Sequence, residues 1–356
     1  MEVINLELAD ITRVFLLTAL SFLVAILFTP AFTNILYQYR LGKRIRDTDV
    51  LGKKAPVFVK FHKEKEQTPT MGGILVWFTV LFIVLGVSAL SVWLDLIDLN
   101  LFADGGVKLL LFTLVATGLI GAADDLLNIF GIGPHRGGFA FWIKLPLYLA
   151  VASGGAWWFA YKLDWLARPF HVPAIPDSFA LGGWYIPLFI LVVVFLAFTT
   201  DVADGLDGLA GGLLTICYAA YILVALAQGN NELAAFCGII VGALLAFLWF
   251  NIYPARFFMG DTGSMSLGMT LAAMAFLTNT VIALPIIAGV IVLDGLTSPL
   301  QITSKRLFGR KIFRSAPVHH HFQALGWPEP KIVMRFWVLG AILAAIGLAV
   351  ALFGQG

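Results

Sequence analysis

The chain has 356 residues, 60% of them hydrophobic and 12% charged, with a formal net charge of +2. Soluble domains are about 45–50% apolar and about 25% charged, so the composition excludes a water-soluble fold, and no nucleic-acid partner is expected. The two cysteines, Cys217 and Cys237, both lie in apolar runs and form no CxxC pair, which excludes a disulfide framework and a zinc ribbon.

About 20 apolar residues are needed to cross the hydrocarbon core. Runs of that kind fall at 12–37, 71–94, 107–123, 140–161, 184–200, 208–227, 233–250, 264–281, 282–301 and 332–353. The sequence thus predicts an all-α polytopic integral membrane protein with ten transmembrane helices in one domain, 1–356. The first run is too long for the apolar region of a signal peptide and is expected to be a span. The break between the eighth and ninth runs is short, "TNTVIALP", around Asn279 and Pro285. Segment 162–183, with Pro169, Pro173 and Pro176, is expected to form a short hairpin. No internal repeat of the inverted-repeat transporter kind is visible.

Orientation follows from lysine and arginine. With ten spans, the segments 38–70, 126–144, 201–207, 251–262 and 302–335 share one face and hold 19 of the 23 basic residues. The other face keeps Arg13, Lys108, Lys162 and Arg168. The first face is therefore expected to be cytoplasmic and both termini periplasmic.

This topology gathers acidic residues on the cytoplasmic face: Asp124 and Asp125 in "GAADDLLN", Asp201, Asp204 and Asp207 in "TTDVADGLDGLAGG", and Asp261 in "FFMGDTGS". An aspartate inside a membrane helix costs roughly 2.5–3.5 kcal/mol, so six at one interface point to function. Each motif alone has a plainer explanation, a solvated helix end or an N-cap. Spacing of three predicts Asp201, Asp204 and Asp207 on one helix face of about 120°. Crowded carboxylates need a cation, and oxygen-only ligands suit a hard ion such as Mg²⁺, which takes one or two carboxylates plus phosphate oxygens. Basic residues supply the complement: Lys60, Lys63 and Lys65 precede "TPTMGG", with Thr68 and Thr70. These read as positive-inside charges and a cap, or as phosphate binders.

The histidine run, His319 to His321 in "APVHHHFQALGWPEPK", falls in the last cytoplasmic segment. Adjacent residues point in different directions, which makes a zinc triad a poor reading. A solvated polar loop and a substrate-facing surface both remain open, with His320 the best single candidate.

Taken in order, "TPTMGG", "ADD", "DGLDGLAGG", "FNIYPARFFMGDTGS" and "APVHHHFQALGWPEPKIVMRFW" resemble the bacterial phospho-N-acetylmuramoyl-pentapeptide transferase family, within the polyprenyl-phosphate N-acetylhexosamine-1-phosphate transferase superfamily. Of these, "DD" and "DGLDG" are shared across the superfamily, and the histidine segment separates this branch. The resemblance implies transfer of phospho-N-acetylmuramoyl-pentapeptide from its UDP-linked donor to undecaprenyl phosphate, giving lipid I and UMP with Mg²⁺, in the bacterial inner membrane. It also implies a homodimer. Asp261 resembles the main Mg²⁺ ligand. Asp124 resembles the residue that activates the lipid phosphate near the metal, with Asp125 beside it. Asp207, Lys65 and Phe258 resemble the uridine pocket, Phe258 stacking on uracil. Thr70, Asp204, Asn251, Gln301 and His320 resemble further substrate contacts, flanked by His319 and His321. Lys144, in "FWIKLP", matches a second family lysine.

The chain departs from the family pattern at several positions. Asp201 stands where the family has asparagine, Ala203 where it has threonine, and Asn128 where it often has lysine; His135 or Arg136 is expected to replace that charge. A transferase taking a simpler UDP-sugar is the nearest alternative, disfavoured by the histidine segment. A secondary transporter would need charges at the bilayer midplane and repeated halves. A CDP-alcohol phosphotransferase, suggested by "DVADG", lacks the rest of that motif. Direct attack and a covalent aspartyl intermediate both fit the residues, with direct attack favoured.

Overall fold

The computed structural model describes residues 8–39, 41–42, 68–95, 100–133, 137–173 and 179–353. Lys65, His135 and Arg136 lie outside these residues. The described chain is helical, apart from one two-stranded ribbon.

Among the described residues twelve α-helices follow in order: α1 (Leu8–Gln38), α2 (Gly73–Trp93), α3 (Gly105–Phe130), α4 (Phe141–Trp157), α5 (Tyr185–Ala203), α6 (Leu209–Ala227), α7 (Asn231–Asn251), α8 (Asp261–Leu277), α9 (Leu284–Ile287), α10 (Gly289–Phe308), α11 (Val318–Ala324) and α12 (Glu329–Leu352). Nine of the predicted runs each fall largely on one helix, while the run 282–301 is divided between α9 and α10 at Ala288. Among the described residues seven segments are long and apolar enough to cross a membrane: α1, α2, α3, residues 182–203 containing α5, α6, α7 and α12. The protein is thus a multi-pass helical membrane protein. Of the three other runs, α4 and α8 are each 17 residues long. The third, α10, ends in Lys305 and Arg306.

Local chemistry sets the ends. Asp104 caps α3 by accepting from the Val107 N–H at 2.8 Å, and Gly131 closes that helix in the left-handed conformation. β1 (Pro169–Phe170) pairs antiparallel with β2 (Phe179–Ala180), forming the hairpin read from the prolines. Asn279, in the turn after α8, donates to Pro169 O and accepts from His171 N. The hairpin therefore sits at the C-terminal end of α8, away from Asp261.

All 17 residues of α8 are buried, with α2, α3, α5 and α6 packed round it. Its composition, "DTGSMSLGMTLAAMAFL", explains the position, because small residues let helix backbones approach. Its hydroxyls bond across: Thr262 Oγ1 donates to Gly118 O at 2.8 Å, and Thr113 and Thr270 hydroxyls meet at 3.3 Å. Where α3 crosses the start of α8, a Cβ on Gly121 would fall 2.5 Å from Asp261 O. Glycine there is what permits the contact. Cys217 and Cys237 are buried and unbridged.

Candidate active site

The start of α8 has no capping side chain of its own. Asp125, from the end of α3, takes that role: its carboxylate accepts from the backbone N–H groups of Asp261 (3.3 Å) and Thr262 (3.2 Å). An anion at a helix N-terminus is favoured by the free N–H groups and the dipole. The effect is to fix where Asp261 points.

Asp124 faces another way. It accepts from the Phe139 N–H and pairs with Lys144 Nζ at 2.8 Å. The same ammonium pairs with Asp261. Two carboxylates, from α3 and α8, thus converge on one cation from α4. All three side chains are largely shielded from solvent. Among the described residues, no group of three or more His, Cys, Asp or Glu is arranged to hold a metal ion. A pair of carboxylates already gathered round one positive charge nevertheless fits a hard cation that completes its shell with phosphate oxygens.

A short backbone ladder forms one wall. Phe258 N–H donates to Pro69 O (2.8 Å), Gly72 N–H to Phe258 O (2.7 Å) and Gly73 N–H to Met259 O (2.8 Å). It places Thr70 against Gly260, with the threonine hydroxyl buried and, among the described residues, without a hydrogen-bond partner. The Phe258 ring is partly exposed at the same wall.

The expectation of Asp201, Asp204 and Asp207 on one helix face fails. α5 ends at Ala203, and residues 204–208 form a turn before α6, with Gly208 at a positive φ. The three carboxylates diverge. Asp201 accepts from the Ser264 hydroxyl (3.2 Å), Asp204 from Gly260 N–H (3.2 Å) and Asp207 from Ala255 N–H (3.0 Å). Asn251 joins the same framework, accepting from Gly208 N–H and donating to Phe257 O. Glu329, at the start of α12, accepts from Asp207 N–H at 2.7 Å.

The histidines occupy α11 and point to three different partners. His319 is fully buried, with Nδ1 2.6 Å from Asp294 Oδ2 and its backbone N–H donating to Asp294 Oδ1. Its Nε2 has no partner among the described residues and abuts Gly205, where a Cβ would come within 2.4 Å. His320 Nδ1 lies 2.7 Å from Gln323 Oε1, and His321 Nδ1 accepts from Arg314 N–H. Gln301 holds the preceding turn: its oxygen accepts from the N–H groups of Ile312 and Phe313, and its amide donates to Phe313 O.

Beside the carboxylates runs an apolar groove of about 760 Å³ between α4, α5 and α10. Phe141, Leu145 and Leu149 line it from α4, Leu145 following Lys144 in sequence; Thr199 and Val202 line it from α5, Val202 following Asp201.

Residues 107–279 match the family model described as Glycosyl transferase family 4. A phospho-N-acetylmuramoyl-pentapeptide-transferase of Geobacillus thermodenitrificans is 36% identical over 330 residues, 93% of this chain and 95% of that protein. The chain belongs to the phospho-N-acetylmuramoyl-pentapeptide-transferase family. Proteins of that name from Chloroflexus aurantiacus (34% identical, 96% of this chain, 90% of that one) and Shouchella clausii (33%, 94% and 96%) are similar over the same extent.

For a member of the phospho-N-acetylmuramoyl-pentapeptide-transferase family, the structure brings Asp124, Asp125, Lys144, Asp201, Asp204 and Asp261 together round the N-terminus of α8. It places Asp207, Asn251 and Gln301 on backbone groups of neighbouring turns. Sequence reading passed over Asp294 and Glu329. The signal for Asp294 was present, an aspartate within the apolar run 282–301. Glu329 was hidden inside a motif read as a whole.

Proposed function

We propose that this chain transfers phospho-N-acetylmuramoyl-pentapeptide from its UDP-linked donor to undecaprenyl phosphate, forming lipid I and UMP. The observation that carries the reading is the Asp124–Lys144–Asp261 cluster set against an apolar groove. A polar site able to take phosphates, opening onto a surface able to take an isoprenoid chain, suits a reaction that joins a water-soluble nucleotide to a lipid. Names and extents of the relatives support the same reading.

The acceptor phosphate is already an anion and needs little base. An oxygen of the lipid phosphate forms a bond to the sugar-bearing phosphorus, and the bond from that phosphorus to the UMP oxygen breaks. Direct attack needs no covalent aspartate. The protein's tasks are positioning and charge neutralisation between two anions. Lys144 supplies fixed positive charge, Asp125 fixes Asp261, and the ladder at residues 69–73 and 258–259 gives the nucleotide a wall, with Phe258 available to stack on uracil. Mg²⁺ held by Asp261 and Asp124 with substrate phosphate oxygens would supply further neutralisation at the leaving UMP.

The proposed setting is the bacterial inner membrane, with ten spans, both termini periplasmic and the carboxylates on the cytoplasmic face. The basic-residue asymmetry supports it, as does the gathering of the acidic motifs at one end of the bundle. Purified protein incubated with UDP-N-acetylmuramoyl-pentapeptide and undecaprenyl phosphate should release UMP and form lipid I only with Mg²⁺. Product from UDP-N-acetylglucosamine alone would overturn the donor assignment.

A further inference from the structure

Tyr148 is fully buried on α4, one turn beyond Lys144 and on the same helix face. Its ring packs edge-on against Phe198, with centroids 5.9 Å apart and planes at 74°. Phe198 lines the apolar groove. Around α4, Phe141, Leu145 and Leu149 line the same groove. The phenol therefore stands at the seam between groove and carboxylates. It lies within electrostatic reach of Asp261, Lys144, Asp201 and Asp124.

The hydroxyl itself is buried and, among the described residues, has no hydrogen-bond partner. A buried tyrosine hydroxyl usually finds one, and leaving it unpaired costs free energy. A phenylalanine would pack the same space without that cost. An unpaired donor kept dry beside a cluster of charge is accounted for if its partner arrives with the substrate.

We propose that the Tyr148 hydroxyl donates a hydrogen bond to a phosphate oxygen of the polyprenyl phosphate acceptor as the lipid enters from the groove. This rests on the transferase reading above. Phosphate oxygens are strong acceptors for such a donor. The diphosphate of the nucleotide offers the same chemistry, but the ring of Tyr148 packs on the groove wall, which assigns the hydroxyl to the lipid side. The proton stays on the phenol throughout, so the contact positions the acceptor phosphate and adds no proton transfer.

Tyr148→Phe removes one oxygen and keeps the ring. In detergent-solubilised full-length protein, this variant should melt at or above the wild-type temperature, because an unpaired buried donor has gone. Its kcat/KM for undecaprenyl phosphate should fall about tenfold, while its KM for the UDP-linked donor stays within twofold of wild type. Unchanged kcat/KM for the lipid would overturn the inference. So would a loss confined to the nucleotide KM, which would move the contact to the donor. A lowered melting temperature tracking the loss of activity would make Tyr148 structural and overturn it too. Wild-type protein is assayed in parallel: no lipid I from it would defeat the transferase reading and this inference together, whereas an active wild type with an equally active variant defeats the inference alone.

Discussion

The start of α8 and the histidine helix α11 both gather polar side chains, and they are built on opposite plans. At α8, carboxylates from α3 and α8 turn inward and share one ammonium from α4. At α11, His319, His320 and His321 turn away from one another to separate partners, Asp294, Gln323 and the Arg314 backbone. The first plan concentrates charge where a reacting phosphate can meet it. The second commits polar groups, most of them buried, to holding α11 in place. The same contrast recurs within two neighbouring residues: Asp124 joins the charge cluster, and Asp125 caps a helix.

The largest expected effect is at Asp261. Asp261→Asn should lower UMP release roughly 100- to 1000-fold, with the protein still inserted in the membrane. Near-normal turnover would remove the carboxylate from the chemistry and erase the contrast with α11.

The aspartate pair sharpens the contrast next. Asp124→Asn should cost about 100-fold in turnover with little change in thermal stability, because the Phe139 N–H can still find an amide oxygen. Asp125→Ala removes a cap from a buried helix end, worth about 1–2 kcal/mol. It should lower both the melting temperature and activity. If both variants lose activity at wild-type melting temperature, Asp125 belongs to the chemistry and the division of roles is wrong.

Asp294→Asn tests the other plan. The carboxylate–imidazole contact at 2.6 Å is fully buried. A hydrogen bond involving a charged group contributes about 1.5–3 kcal/mol, so detergent unfolding should show a loss of about 2 kcal/mol. Turnover should fall about tenfold as His319 loosens against Gly205. A stable variant with abolished activity would place α11 on the chemical plan instead.

Helices were legible in the sequence because long apolar runs leave few choices in a bilayer. The hairpin at 169–180 was legible from its prolines. The acidic motifs were legible as a cluster because topology alone brings their segments to one end. Which aspartate does what was not legible: that depended on where α5 stops and on an N-terminus with no cap of its own, both settled by packing. The even spacing of Asp201, Asp204 and Asp207 misled because it assumed a continuous helix, where glycines make a turn. Tyr148 gave no signal, since its unpaired hydroxyl exists only in three dimensions.

The smallest expected effect is at Gln301, and it bears on what the family resemblance implies for that residue. All its polar atoms are engaged with the backbone of residues 312 and 313. That turn is largely open to water, which can replace the lost bonds, so the net cost of Gln301→Ala should be below about 1 kcal/mol. Turnover should fall only a few-fold, while limited proteolysis at residues 309–317 becomes faster as the turn loosens. The two readouts separate the possible roles. A framework residue moves protease sensitivity first and activity second. A residue that touches substrate does the reverse, so a 100-fold loss of turnover with unchanged proteolysis would return Gln301 to the substrate side and extend the charge-centred plan of α8 to α10.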